Sequence, residues 1–208
     1  MTELHRFESP DVFQSNTFVL LAEGTMVVLD PGGAWPLAAA LIDERRPKDL
    51  TLLATHGHID HVSGIRELQE RYHAPAYLHP HDHPLARNVA AMASMFGLTG
   101  VRPPSTLTEL AEGELVLGPL TLEVLYTPGH SRGGVCLRYQ DLLFTGDTLF
   151  HLSIGRTDLP GGDHGTLLRS IKTRLLPLQG ISAVLPGHGP DTTLAFEREQ
   201  NPFLNGEL

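Results

Sequence analysis

Between Thr55 and His61 the chain reads THGHIDH, which places four side chains able to ligate a metal, His56, His58, Asp60 and His61, within six residues. Imidazole and carboxylate donors without cysteine suit a catalytic ion with open positions better than a closed structural zinc site. His56 and His58, two apart, point the same way only in extended backbone. Asp60 and His61 stand where a helix begins and must aim elsewhere, so the spacing implies two metal positions. Three later segments repeat the theme of a strand, a turn and a ligand: YTPGH ending at His130, FTGD at Asp147 and LPGH at His188. A glycine precedes each of these three ligands and lets the backbone turn sharply beside an ion.

Strands must carry these segments. Apolar, β-branched runs predict strands over Thr17–Ala22, Met26–Asp30, Leu50–Thr55, Ala76–Leu78, Leu120–Tyr126, Gly134–Tyr139, Asp141–Thr145 and Ser182–Leu185. Apolar positions at the helical period predict helices over Leu37–Arg46, Val62–Tyr72, Leu85–Met95, His164–Leu176 and Thr193–Gln200, with Asp163 and Thr192 at N-cap positions. No internal repeat is present, which excludes a solenoid or propeller. The stretch GVRPPS at 100–105 is too short to separate independent domains, so residues 1–208 are read as a single domain. Paired strands and helices in both halves predict an α+β fold with two mixed β-sheets packed face to face and helices outside.

Composition narrows the partners. Fifteen Lys and Arg against 24 Asp and Glu leave a net charge of −9 with no basic cluster, which argues against nucleic acid. The longest apolar runs, such as Phe18–Ala22, fall far short of the ~20 residues that span a bilayer, so no membrane partner is expected. The opening MTELHRFESP has no apolar stretch of a secretory signal, so a cytoplasmic location is expected. Cys136 is alone and forms no intramolecular disulfide; it reads as a small apolar core residue. A second histidine run, His79-Pro80-His81-Asp82-His83, lacks companion segments elsewhere and is read as a solvated strand-to-helix loop, as His5, His73, His151 and His164 are read as surface residues.

The four ligand segments, in this order and spanning most of the chain, resemble the metal-binding motifs of the metallo-β-lactamase superfamily. Residues Gly155–Asp163 (GRTDLPGGD), the segment PGHGP at 186–190, Glu197 and Asn201-Pro202-Phe203 resemble, more narrowly, the short form of glyoxalase II, or hydroxyacylglutathione hydrolase. The resemblance implies a four-layer αβ/βα sandwich with His56, His58 and His130 on one divalent ion, Asp60, His61 and His188 on a second, and Asp147 bridging them. Zinc is the expected metal, with iron or manganese compatible. A metal-bound hydroxide would then cleave a small-molecule thioester of the S-lactoylglutathione type, the last step of methylglyoxal detoxification, with Asp60 the candidate for steering it. Arg156 and Asp158 are expected to brace their loop as an ion pair rather than to act on substrate.

Two alternatives are set against this. The same scaffold supports a persulfide dioxygenase, in which His56, His130 and Asp147 would hold one iron. The hydrolases resemble the PGHGP of this chain, whereas the dioxygenases resemble a Pro-Ala-His-Asp pattern at that point. The other is a metal-binding module without activity. β-Lactam hydrolysis is disfavoured without an export signal, and nuclease members generally need further domains. Larger glyoxalase II enzymes hold glutathione with a helical C-terminal extension; residues 189–208 are shorter than that, which leaves the thiol open.

Overall fold

The computed structural model describes residues 2–206. Strands β1 (Glu3–Glu8), β2 (Asn16–Ala22) and β3 (Thr25–Leu29) lead into α1 (Trp35–Arg45) and β4 (Asp49–Leu53). Short α2 (Ile59–Val62) and α3 (Ile65–Tyr72) follow, then β5 (Ala76–Leu78), α4 (His83–Arg87), α5 (Val89–Met95) and β6 (Thr108–Glu109). The second half comprises β7 (Gly113–Leu117), β8 (Leu120–Tyr126), β9 (Val135–Tyr139), β10 (Leu142–Gly146) and a small hairpin of β11 (Leu149–Phe150) and β12 (Ser153–Ile154). It closes with α6 (His164–Ser170), β13 (Ala183–Pro186), α7 (Leu194–Gln200) and α8 (Pro202–Asn205).

The strands form two large sheets, β1-β2-β3-β4-β5-β6 and β13-β10-β9-β8-β7, each mixing parallel and antiparallel pairs. The two-residue strand period sorts the side chains into three apolar layers. Phe18, Leu20, Val27 and Leu29 face Leu122, Val124, Leu137 and Phe144 between the sheets. Val19, Met26, Val28 and Leu52 face outward under Ala38 and Ile42 of α1 and Ile65 and Leu68 of α3. On the far side Leu143, Val184 and Cys136 lie under Leu167 of α6 and Ile171. Strands covered on both faces read as continuous apolar runs, which is why β2, β3, β4 and β10 stand out in the sequence. The result is the four-layer sandwich expected.

The differences lie at helix ends and sheet edges. The helix expected over Val62–Tyr72 is broken because the Gly64 N–H donates to Pro31 O (2.8 Å) and α3 starts afresh at Ile65. The helix over Leu85–Met95 is split at Asn88, and that beginning at His164 continues past Ser170 as a π-helical turn. Thr193, not Thr192, caps α7 by accepting from Phe196 N; Thr192 instead pairs its backbone with Val184 and donates its hydroxyl to Glu197. Glu197 is fully buried and also accepts from Leu152 N (3.0 Å) and Asn201 Nδ2 (2.8 Å), so it ties the C-terminal helices to the β11–β12 hairpin.

Phe144 tests the inner layer. It is buried between the sheets and meets Phe18 edge-on, ring centroids 5.2 Å apart. Phe144→Ala is expected to lower the unfolding free energy by about 3–5 kcal/mol, read by urea titration, through lost burial and the cavity left behind.

Candidate metal centre

All four ligand segments leave strands at one edge of the sandwich. The loop after β4 carries His56 and His58, and α2 opens with Asp60 and His61 in its single turn. His130 lies in the connection from β8 to β9, Asp147 directly follows β10, and His188 follows β13, which is parallel to β10. A hydrogen bond from Val135 N to Thr55 O (2.9 Å) joins the start of β9 to the exit of β4 and so fixes one half of the edge against the other.

The seven predicted ligands meet as two groups. His56, His58 and His130 form one, and Asp60, His61, Asp147 and His188 the other, with the ligand atoms of each group within 4.8 Å of one another. In the first, His130 Nε2 lies 2.8 Å from His58 Nδ1 and 3.2 Å from His56 Nε2. In the second, Asp60 Oδ2 lies 3.1 Å from His188 Nε2 and 3.4 Å from His61 Nε2. Asp147 joins them: Oδ1 is 3.2 Å from His61 Nε2, and Oδ2 is 3.4 Å from His130 Nε2.

The opposite ring nitrogens are held from behind, which sets what each imidazole presents. His130 Nδ1 donates to Arg156 O (2.7 Å), and His188 Nδ1 to Phe13 O (3.0 Å). Thr55 Oγ1 donates to Asp30 Oδ2 and accepts from His56 Nδ1 (3.2 Å). The Nε2 atoms of His56 and His130 therefore carry lone pairs toward the centre, and that of His188 is the atom that would do so once its proton is displaced. Two glycines permit the approach. At Gly187 a Cβ would sit 2.5 Å from Asp147 Oδ1, and Gly146 has a φ of +46° with Thr55 Oγ1 2.3 Å from where its Cβ would be.

Sequence reasoning missed three supports. Asp30, buried and in left-handed backbone (φ 51°), accepts from Thr55 N and Thr55 Oγ1 and places Oδ2 3.0 Å from His61 Nδ1, outside hydrogen-bonding geometry. Asn16 donates to Pro186 O (2.9 Å) and holds the exit of β13. Asp82 corrects the reading of the second histidine run as a solvated loop: its carboxylate is wholly buried. It accepts from Gly57 N (2.9 Å), between His56 and His58, and from Ser131 Oγ and Gly133 N (both 2.6 Å), just beyond His130. One carboxylate thus clamps two ligand loops. Of its neighbours only His81 is exposed as expected, with Nδ1 3.2 Å from the Tyr126 hydroxyl; His79 is half-buried against the Tyr126 ring, and half-buried His83 has Nε2 3.0 Å from Leu78 O. The signal available was the strand-exit position of Asp82 after β5, alongside the other strand exits.

Electrostatics divide the groups. Burial, reinforced by neighbouring imidazoles, pushes His56 well below its ordinary value and His58 down to about 4, so both are neutral ligands at pH 7. In the second group burial opposes charge, but the ion partners outweigh it. His61 is held well above its ordinary value by Asp60, Asp147 and Asp30, and His188 is pushed up to about 10 by the neighbouring carboxylates of Asp147 and Asp60. Asp60 and Asp147 are correspondingly held below the usual carboxylate range by His61 and His188.

The donor set fits metal ions. Asp147 Oδ1 is buried without a hydrogen-bond partner, and one nitrogen from each of the three imidazoles of the first group lies within 4.8 Å of the others. Convergent lone pairs repel unless a cation lies among them, and a divalent ion would displace the protons that His61 and His188 otherwise retain. Because Asp82 orients two loops of the first group, Asp82→Ala is expected to weaken zinc binding by about 10–100-fold in a chelator-competition titration, with Asp82→Asn less affected.

Comparison with known proteins places this geometry. The description "Metallo-beta-lactamase superfamily" matches residues 10–188. The chain is 42% identical over 202 residues to the probable metallo-hydrolase YqgX of Bacillus subtilis, covering 93% of each. It is 36% identical over 203 residues to the hydroxyacylglutathione hydrolase GloC of Haemophilus influenzae, covering 94% of this chain and 95% of that one. Among solved structures it is similar to TTHA1623 in a di-iron-bound form, with a TM-score of 0.86, 39% identity, and 95% of this chain and 100% of that one covered. It is also similar to the B3 metallo-beta-lactamase BLEG-1, with a TM-score of 0.87, 36% identity, and 98% and 100% covered. With the family description matching most of its length and its His and Asp ligands gathered at one edge of a four-layer sandwich, the chain belongs to the metallo-β-lactamase superfamily.

Proposed function

We propose that this chain is a metal-dependent hydrolase of thioesters of the S-lactoylglutathione type, acting on a small acyl-thiol and on neither nucleic acid nor membrane. The observation that carries the reading is Asp147, whose two oxygens face both ligand groups on the floor of a cleft of about 520 Å³. A cleft of that size admits a small molecule. The likeness to GloC supports a thioester as substrate, and no helix among the described residues is long and apolar enough to cross a membrane.

Two divalent ions, zinc in this reading with iron or manganese compatible, would supply Lewis acidity and a water whose pKa falls to about 7. His56, His58 and His130 would hold one; Asp60, His61 and His188 the other; Asp147 both. Asp60, kept ionised by the imidazoles around it, is an acceptor that orients the attacking water from the cleft floor. His130 and His188 stay aimed because backbone carbonyls fix their outer nitrogens. Cys136 takes no part as a nucleophile: its thiol is buried in the layer under α6, and burial pushes it up to about 11.

The test is turnover of S-lactoylglutathione by the zinc-loaded chain, with a cephalosporin and glutathione persulfide run beside it. Thioester cleavage that is lost with a chelator and regained with zinc is expected. Asp147→Asn is expected to lower kcat/KM by more than about a hundredfold, since even the outer partners of metal ligands are worth 10–100-fold. Cleavage of the β-lactam alone, or oxygen uptake with the persulfide alone, overturns the reading.

A further inference from the structure

The walls of the cleft differ in chemistry from its floor. The cleft is lined by Val12, Phe13, Met92 and Phe96 together with Phe150 and Leu159. Phe96 leans edge-on against Phe13, ring centroids 5.0 Å apart, yet remains 54% exposed, and Val12 is 78% exposed. These residues come from separate parts of the chain, the β1–β2 connection, α5 and its C-terminal cap, β11 and the loop before α6. Apolar side chains brought together from four segments, and left open beside ligands, form a surface that gains when an apolar group covers it.

Charge is scarce on those walls. Arg156 is the only Lys or Arg among the described residues lining the cleft. Its guanidinium is already paired on two arms with Asp158, Nε to Oδ1 and the second nitrogen to Oδ2, both 2.7 Å. The thiol half of S-lactoylglutathione carries two carboxylates and one ammonium, and among the described residues lining the cleft no Lys or Arg other than the Asp158-paired Arg156 is there to meet the carboxylates. An uncharged apolar group meets no such difficulty.

We infer that the cleft selects thioesters whose groups flanking the scissile bond are apolar and uncharged, over thioesters of a thiol bearing two carboxylates. This rests on the metal-dependent thioester hydrolysis proposed above and departs from it in the thiol, placing an uncharged one ahead of glutathione. The apolar portion lies between Phe96 and Phe150 while the carbonyl reaches the floor occupied by Asp60, Asp147 and His188.

Two readouts separate this inference from the reading it rests on. Calorimetric binding of stable thioethers to the zinc-loaded chain compares 2-(hexylthio)ethanol with S-hexylglutathione, which share the hexyl group and differ in thiol charge. The uncharged ligand is expected to bind at least about tenfold more tightly, and Phe96→Arg is expected to shrink that ratio. In parallel, kcat/KM for acetyl, butyryl and hexanoyl thioesters of 2-mercaptoethanol is expected to rise about three- to fourfold per added methylene while the chain fits the walls. Phe96→Ser is expected to flatten that slope. Equal or tighter binding of S-hexylglutathione, or a flat chain-length series, overturns the inference even if S-lactoylglutathione is cleaved. Preferential binding of the uncharged thioether with no thioester cleaved upholds the ligand class and overturns the hydrolase reading.

Discussion

The structure depends on holding five imidazoles and two carboxylates in contact inside the protein, where each is stripped of water and must be kept in one orientation. His130 Nε2 stands 2.8 Å and 3.2 Å from two other imidazole nitrogens, and Asp147 faces both groups from a buried position. A low-dielectric interior makes any unpaired group among them costly, so the arrangement survives only if each is fixed from behind, paired with a neighbour or shares a cation in front. The carbonyls of Arg156 and Phe13, the hydroxyl of Thr55 and the carboxylate of Asp30 perform the first task. The donor set is suited to the last.

The sandwich supplies the rigidity that this requires. Strands β4, β10 and β13 end at one edge and are locked by apolar layers on both faces, so the turns that follow them begin from fixed points. Links between segments then fix the turns themselves. Asp82 ties the β4 exit to the β8–β9 connection, Asn16 ties β2 to the β13 exit, and Ser15 Oγ donates to Asp60 O across the same edge. Glu197 extends the bracing to the hairpin that carries Phe150. Each of these polar groups is buried and satisfied, which is the condition under which burying them specifies geometry rather than weakening the core.

Function follows from contrast between floor and walls. The floor is dense in imidazole and carboxylate groups able to ligate cations; the walls are apolar and nearly uncharged. The first property is shared with the superfamily to which the chain belongs, whereas the second belongs to side chains on loops and a short helix, where a fold leaves room for specificity. The acidity of the chain as a whole adds a field that disfavours anions approaching from solution until they reach the centre.

The candidate ligands that converge were legible in the sequence because their spacing is local and repetitive: two histidines in extended backbone, an acid and a histidine at a helix start, and a glycine before each of three later candidates. Strands buried on both faces were legible for the same local reason. Edge strands β1 and β7 were not, since half their side chains face solvent and their charges mask the alternation. Nor were Asp30, Asp82 and Asn16, because a lone polar residue reveals its role only when its partners arrive from distant segments. Sequence alone thus determined which chemical groups are present and on which strand ends they sit. Only the tertiary structure decided that Asp82 clamps the loops of the first group and that apolar residues wall the cleft, and only it gave the distances by which Asp147, implied as the bridge by the family resemblance, stands between the two groups, because those facts are distances between segments far apart along the chain.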